Sequence, residues 1–155
     1  MPGTAEYAGV AMLALATTLF FGGRRELAWR LVAAFAVTVL VEILMKLWLP
    51  APRVPPEAAR LPDPSPLLDV AYPHPYPSGH MLRSVILFGA IYLLWPNRIL
   101  RVCVLVILAG VAVSRVYLGV HWTSDVVGGV LLGIAGLVWA FRERSAIGGQ
   151  PSAKS

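Results

Sequence analysis

Between Ser114 and Asp125 the chain reads Ser-Arg-Val-Tyr-Leu-Gly-Val-His-Trp-Thr-Ser-Asp, which places an arginine, a histidine and an aspartate between two apolar runs. Ionisable groups at the edge of a membrane core are costly and therefore mark functional sites. The four-residue step from His121 to Asp125 lets a carboxylate reach one imidazole nitrogen, fixing the tautomer and making the other nitrogen a better nucleophile. Arg115 adds a permanent fork of donors suited to phosphate. A second stretch, Pro77-Ser78-Gly79-His80, opens another apolar run. At a helix start, Ser78 and the N–H groups of Gly79 and His80 form an anion site, and His80 is placed to protonate a leaving oxygen. A third piece, Lys46 followed seven residues later by Arg53, supplies further positive charge. Phosphoryl transfer needs a nucleophile, an acid and a cradle of donors and cations. The predicted roles are therefore His121 as nucleophile, Asp125 as its orienting group and His80 as acid. Lys46, Arg53, Ser78, Gly79 and Arg115 hold the phosphate. Arg83, His74 and Tyr76 are candidate headgroup contacts, and no residues are assigned to a metal.

These pieces must be held by elements that suit a bilayer. Of the 155 residues, 57% are hydrophobic and 14% charged, against about 45–50% and 25% in soluble domains. The apolar residues fall in blocks long enough to cross a membrane as helices. The predicted fold is all-α, an integral membrane bundle of about five transmembrane helices. Their expected spans are 7–21, 26–49, 78–95, 99–119 and 124–141. The first reads as a retained helix, since a cleaved signal would carry basic residues ahead of its apolar core. Glu42 and Lys46, four apart on one helix, read as a structural ion pair from the side of Glu42. Gly128, Gly129, Gly133 and Gly136 permit close helix contact, with a neighbour in the chain or with a second subunit. Cys103, the single cysteine, excludes a disulfide framework and reads as a small buried apolar side chain.

Ten of the 13 prolines lie between residues 50 and 77, a density that forbids regular helix. That segment is predicted to be a long extracytoplasmic loop, and residues 146–155 a disordered tail. The net charge is +5. Its basic residues sit at the ends of apolar segments rather than in one stripe, which favours membrane orientation over nucleic acid. Arg24, Arg25, Arg30, Arg98, Arg101, Arg142, Arg144 and Lys154 gather at one set of helix ends. The positive-inside rule puts those ends in the cytoplasm, with the N-terminus outside, the C-terminus inside and all three motif pieces at the outer face.

Together the three pieces resemble the signature of the type 2 phosphatidic acid phosphatase family, which shares its site with vanadium haloperoxidases and glucose-6-phosphatase. The family pattern is Lys-x6-Arg-Pro, then Pro-Ser-Gly-His, then Ser-Arg-x5-His-x3-Asp. The second and third parts match in full. The first matches at Lys46 and Arg53, with Val54 where the family has proline. The family's membrane members usually have six spans, so this chain reads as a compact form lacking one near the N-terminus.

The resemblance implies one transmembrane phosphatase domain over residues 1–145. It further implies a metal-independent, cofactor-free reaction through a phosphohistidine on His121, with His80 as acid. The implied substrate is a phospholipid or polyprenyl phosphate: undecaprenyl diphosphate, phosphatidylglycerol phosphate or phosphatidic acid. The implied location is the plasma (inner) membrane with an extracytoplasmic site. Two other readings remain open at this point. One is a lipid phosphotransferase using the same phosphohistidine, and the other a catalytically silent lipid-binding protein.

Overall fold

In the computed structural model the described residues are 4–55, 57, 60 and 72–142, with side chains from residue 7 onward. Five helices follow one another: α1 (Thr4–Phe21), α2 (Arg25–Trp48), α3 (Gly79–Leu94), α4 (Arg98–Tyr117) and α5 (Thr123–Phe141). No strand occurs among the described residues, so the all-α expectation holds and each helix lies within a few residues of its expected span. α2, α4 and α5 are long and apolar enough to cross a membrane, while 7–21 and α3 are shorter apolar helices. The 16 residues of α3 extend about 24 Å, less than the roughly 30 Å of a hydrocarbon core. The expected tail, 146–155, and half of the proline-rich segment lie outside the described residues.

The helix ends follow from local chemistry. α1 stops at Gly22-Gly23, where Gly23 has φ +81°, a left-handed conformation that costs glycine little. α2 stops at Leu49, whose extended backbone precedes Pro50, because a proline disfavours helical geometry in the residue before it. α3 and α4 are joined by Trp95-Pro96-Asn97, and the Asn97 side chain caps α4 by accepting from the Leu100 N–H at 3.0 Å. Between α4 and α5 the chain turns through Gly119 at φ +69°.

α3 and α5 form the centre of the bundle, with α2 against α5, α1 against α2 and α3, and α4 on the outside against α3. The glycines of α5 account for the closeness of the central pair. A Cβ on Gly129 would stand 2.5 Å from the Ser78 carbonyl oxygen, one on Gly133 2.7 Å from Val85, and one on Gly136 2.9 Å from Thr38 of α2. Of the two partners allowed by the sequence, the stripe therefore meets neighbours within the same chain. The seam is filled by Met81, Leu82, Val85 and Ile86 of α3, all buried. α4 is the contrast. Of its residues only Val104 is buried, and Val102, Leu105, Val106 and Val113 face outward, which in a bilayer means facing lipid. Cys103 is exposed on that helix. Its expected burial is corrected by the peripheral position of α4, which gives most of its surface no protein to pack against.

The close α3–α5 approach predicts an asymmetry between glycines. Overpacking costs about 1–3 kcal/mol, so Gly129→Ala should lower the melting temperature in detergent by roughly 3–10 °C. Gly110→Ala, whose new Cβ would meet nothing within 4 Å, should leave it unchanged. Equal effects in a thermal-unfolding assay would contradict this packing.

Candidate active site

The site is assembled where the starts of α3 and α5 meet the ends of α2 and α4. Ser78 precedes α3 with extended backbone and is fully buried. Its N–H donates to the Asp125 carbonyl at 2.9 Å, which clips the Pro-Ser-Gly-His stretch to the first turn of α5. Asp125 is 2% exposed. Its Oδ2 accepts from the Trp122 N–H at 3.0 Å and faces His121 Nδ1 at 3.4 Å, the latter long for a hydrogen bond. The carboxylate thus joins the start of α5 to the imidazole four residues before it.

His80, the second residue of α3, is half-buried. The ionisable side chains of Arg115, His121, Arg83 and Lys46 all lie near enough to act electrostatically on its ring. Three helices and one turn therefore deliver ionisable side chains to one small region: Lys46 from α2, His80 and Arg83 from α3, Arg115 from the last turn of α4, and His121 from the turn before α5. Arg115 also lies where the carbonyl end of a helix favours a cation. Four polar atoms here are buried without a hydrogen-bond partner within the described residues; Glu42 Oε2 at least faces Arg83 at 3.0 Å, which leaves Ser78 Oγ, His80 Nε2 and Arg115 Nε. Buried donors and acceptors are almost always satisfied, so three such atoms in one pocket point to a polar ligand. The Ser78 hydroxyl makes no capping bond to α3, which leaves the helix's first N–H groups oriented as an anion site.

The structure brings together His80, His121, Asp125, Lys46, Ser78, Gly79 and Arg115. Arg53 is engaged by the loop. It is exposed, and its guanidinium donates to the Tyr72 carbonyl at 2.5 Å and to the Pro73 carbonyl at 3.3 Å. Arg53 closes the base of the proline-rich segment by joining residue 53 to residues 72 and 73.

Of the two candidate headgroup contacts ahead of the motif, His74 is bonded to the end of α2 and the start of the segment, and Tyr76 packs on α5. The His74 N–H donates to the Lys46 carbonyl at 3.2 Å and its Nδ1 accepts from the Ala51 N–H at 3.4 Å. The Tyr76 ring lies 2.6 Å from where a Gly128 Cβ would be. Further stitches come from Trp122 Nε1, which donates to the Pro52 carbonyl at 3.1 Å. Arg60 holds Leu118 through its N–H at 3.0 Å and lies over the Tyr117 ring at 4.2 Å. A cavity of about 500 Å³ lined by Leu49, Pro52, Tyr76, Trp122 and Asp125 adjoins the site. His80, His121 and Arg115 do not line it, so it flanks the phosphate-type pocket without being that pocket.

Sequence reasoning underrated Glu42. Its side chain is 3% exposed and paired with both Lys46 at 2.8 Å and Arg83 at 3.0 Å. The i,i+4 spacing showed the first pair, but the second joins α2 to α3 and depends on tertiary packing. A carboxylate buried in apolar surroundings costs several kcal/mol unless it is well paired. Lys46 and Arg83 give Glu42 that charge pairing, although its Oε2 makes no hydrogen bond.

An apolar helical bundle with two histidines and several cations converging at its helix ends has the make-up of a membrane protein and offers a site whose charge suits a phosphate-like group. The PAP2 superfamily model matches residues 26–147, and the chain belongs to that superfamily. Over 68 residues, 42% of this chain, it is 40% identical to "Putative undecaprenyl-diphosphatase YbjG" of Escherichia coli (strain K12). The match covers 32% of that relative, so this chain spans about a third of its length. No solved structure matches.

The placement of Arg53 generates its own test. Arg53→Gln should open the base of the loop, giving faster limited proteolysis within residues 50–77. It should reduce phosphate release by no more than about tenfold, the scale of a lost exposed contact of up to about 1 kcal/mol. Arg115→Gln should reduce phosphate release by about a hundredfold or more, the scale of losing a transition-state donor, with the proteolysis pattern unchanged. Equal losses with identical proteolysis would contradict the assignment.

Proposed function

We propose that this chain is a lipid phosphatase that removes phosphate from a membrane-embedded phosphate or diphosphate through a phosphohistidine. The observation that carries the reading is the convergence on one pocket of His80, His121 backed by Asp125, and the cations Lys46, Arg83 and Arg115. With Nδ1 directed at Asp125, His121 attacks the phosphorus through Nε2. A phosphorus–nitrogen bond forms as the bond to the leaving oxygen breaks, and His80 gives that oxygen a proton. His80 then takes a proton from water, whose oxygen attacks the phosphohistidine to release inorganic phosphate and restore His121. Ser78, the N–H groups at the start of α3 and the cations stabilise the equatorial oxygens throughout.

Topology and substrate belong to the same proposal. Five crossings with the N-terminus outside put the pocket at the extracytoplasmic face of the plasma membrane, consistent with the basic residues at the opposite helix ends. A pocket at headgroup depth suits a substrate whose tail remains in the bilayer. Among the candidate lipids, undecaprenyl diphosphate is favoured by the name of the Escherichia coli relative, ahead of phosphatidylglycerol phosphate and phosphatidic acid.

The test is phosphate release by the purified protein in detergent across these three lipids. Activity should survive EDTA and fall with vanadate. His121→Ala should lose roughly a thousandfold or more, as nucleophile removal does. Quenching a single turnover on phosphate-labelled substrate should trap an acid-labile, base-stable label on the wild-type protein and none on His121→Ala. Full activity in His121→Ala, or abolition of activity by EDTA, would contradict the mechanism.

A further inference from the structure

Glu42 has more partners than a stabilising ion pair needs. Its carboxylate faces Lys46 from its own helix and Arg83 from α3. It also lies against the first residue of α3, because a Cβ on Gly79 would collide with both the Glu42 carboxylate and the Arg83 guanidinium. The next residue is His80, at whose ring both Lys46 and Arg83 are felt. One carboxylate from α2 therefore sets the positions of two cations drawn from two helices, beside the proposed acid.

The charge balance separates a working arrangement from a purely structural one. A structural network buried in an apolar bundle is most stable when its charges cancel. Here one carboxylate holds two cations, so the trio carries a net positive charge next to the partnerless buried Ser78 Oγ and His80 Nε2. That surplus is costly in a membrane protein unless an anion comes to it. Arg53, meanwhile, is engaged by the carbonyls of Tyr72 and Pro73.

We infer that Glu42 is a positioning residue of the phosphate pocket, holding Lys46 and Arg83 side by side as a two-cation floor on which Arg83 binds phosphoryl oxygens of the substrate. The inference rests on the phosphatase reading above. Without the Glu42 charge the two cations repel each other and leave the pocket. The loss then falls mainly on binding of the phosphoryl group, and less on the attack by His121.

The experiment compares wild type with Glu42→Gln, Glu42→Asp, Arg83→Gln and the Glu42→Gln/Arg83→Gln double variant. For each, KM and kcat for lipid-phosphate hydrolysis, the inhibition constant of vanadate and the melting temperature in detergent are measured. Breaking a buried charge pair should raise KM and the vanadate constant about thirtyfold or more in Glu42→Gln, with a smaller change in kcat. Glu42→Asp should recover part of the loss. If Glu42 acts through Arg83, the double variant should lose far less than the product of the two single losses.

Multiplicative losses, or a lowered melting temperature with an unchanged vanadate constant, would overturn the inference. Should Glu42→Gln fail to fold, Arg83→Gln decides alone. A vanadate constant within twofold of wild type in that variant would refute the two-cation floor. A wild-type protein that neither releases phosphate nor binds vanadate would instead refute the phosphatase reading itself.

Discussion

The distance between α3 and α5 is the constraint on which the site depends. The Ser78 N–H reaches the Asp125 carbonyl at 2.9 Å only because Gly129 presents no Cβ toward the Ser78 carbonyl. That single main-chain bond sets the Pro-Ser-Gly-His stretch against the start of the helix that carries Asp125. Small residues along a helix allow backbones to approach closely inside a membrane, where lipid tails give helices little hydrophobic reason to associate. The glycine stripe of α5 and the chemistry at its first turn thus serve the same arrangement. Packing along the seam fixes the two histidine-bearing ends relative to each other.

Charge at these helix ends is managed by two buried carboxylates with different tasks. Asp125 holds an imidazole and a backbone N–H, an arrangement that orients the ring. Glu42 holds two permanent cations, an arrangement that leaves positive charge in place for an anion. Neither would be tolerated alone at this depth, given the several kcal/mol cost of an unpaired buried charge. Around them the described parts of the proline-rich segment are stitched down by Arg53, His74, Trp122 and Arg60 through main-chain carbonyls and N–H groups. The rim of the pocket is therefore built from backbone contacts, and its floor from ion pairs.

Much of this was legible in the sequence, for identifiable reasons. The helices were visible because four of the five apolar runs end at a glycine or proline signal such as Gly22-Gly23, Pro50 or Trp95-Pro96. The core of the site was visible because His121 and Asp125 are four apart on a helix start and His80 follows a compact motif. What could not be read were contacts between segments distant in the chain. Arg53 looked like a phosphate ligand from its spacing to Lys46, yet the return of the chain at Tyr72 and Pro73 offers its guanidinium carbonyls. Glu42 looked like half of a local ion pair, because nothing in the sequence shows that Arg83 of another helix packs against it. Cys103 looked buried because apolar surroundings in sequence do not distinguish a helix inside the bundle from one at its edge.

The most direct test of the shared pocket is an experimental structure of the protein with vanadate bound. Vanadium bonded to His121 Nε2, with its apical oxygen at His80 and its equatorial oxygens on Lys46, Arg83, Arg115 and the start of α3, is the predicted result. Vanadate bound away from His121, or His80 and His121 facing different chambers, would contradict it.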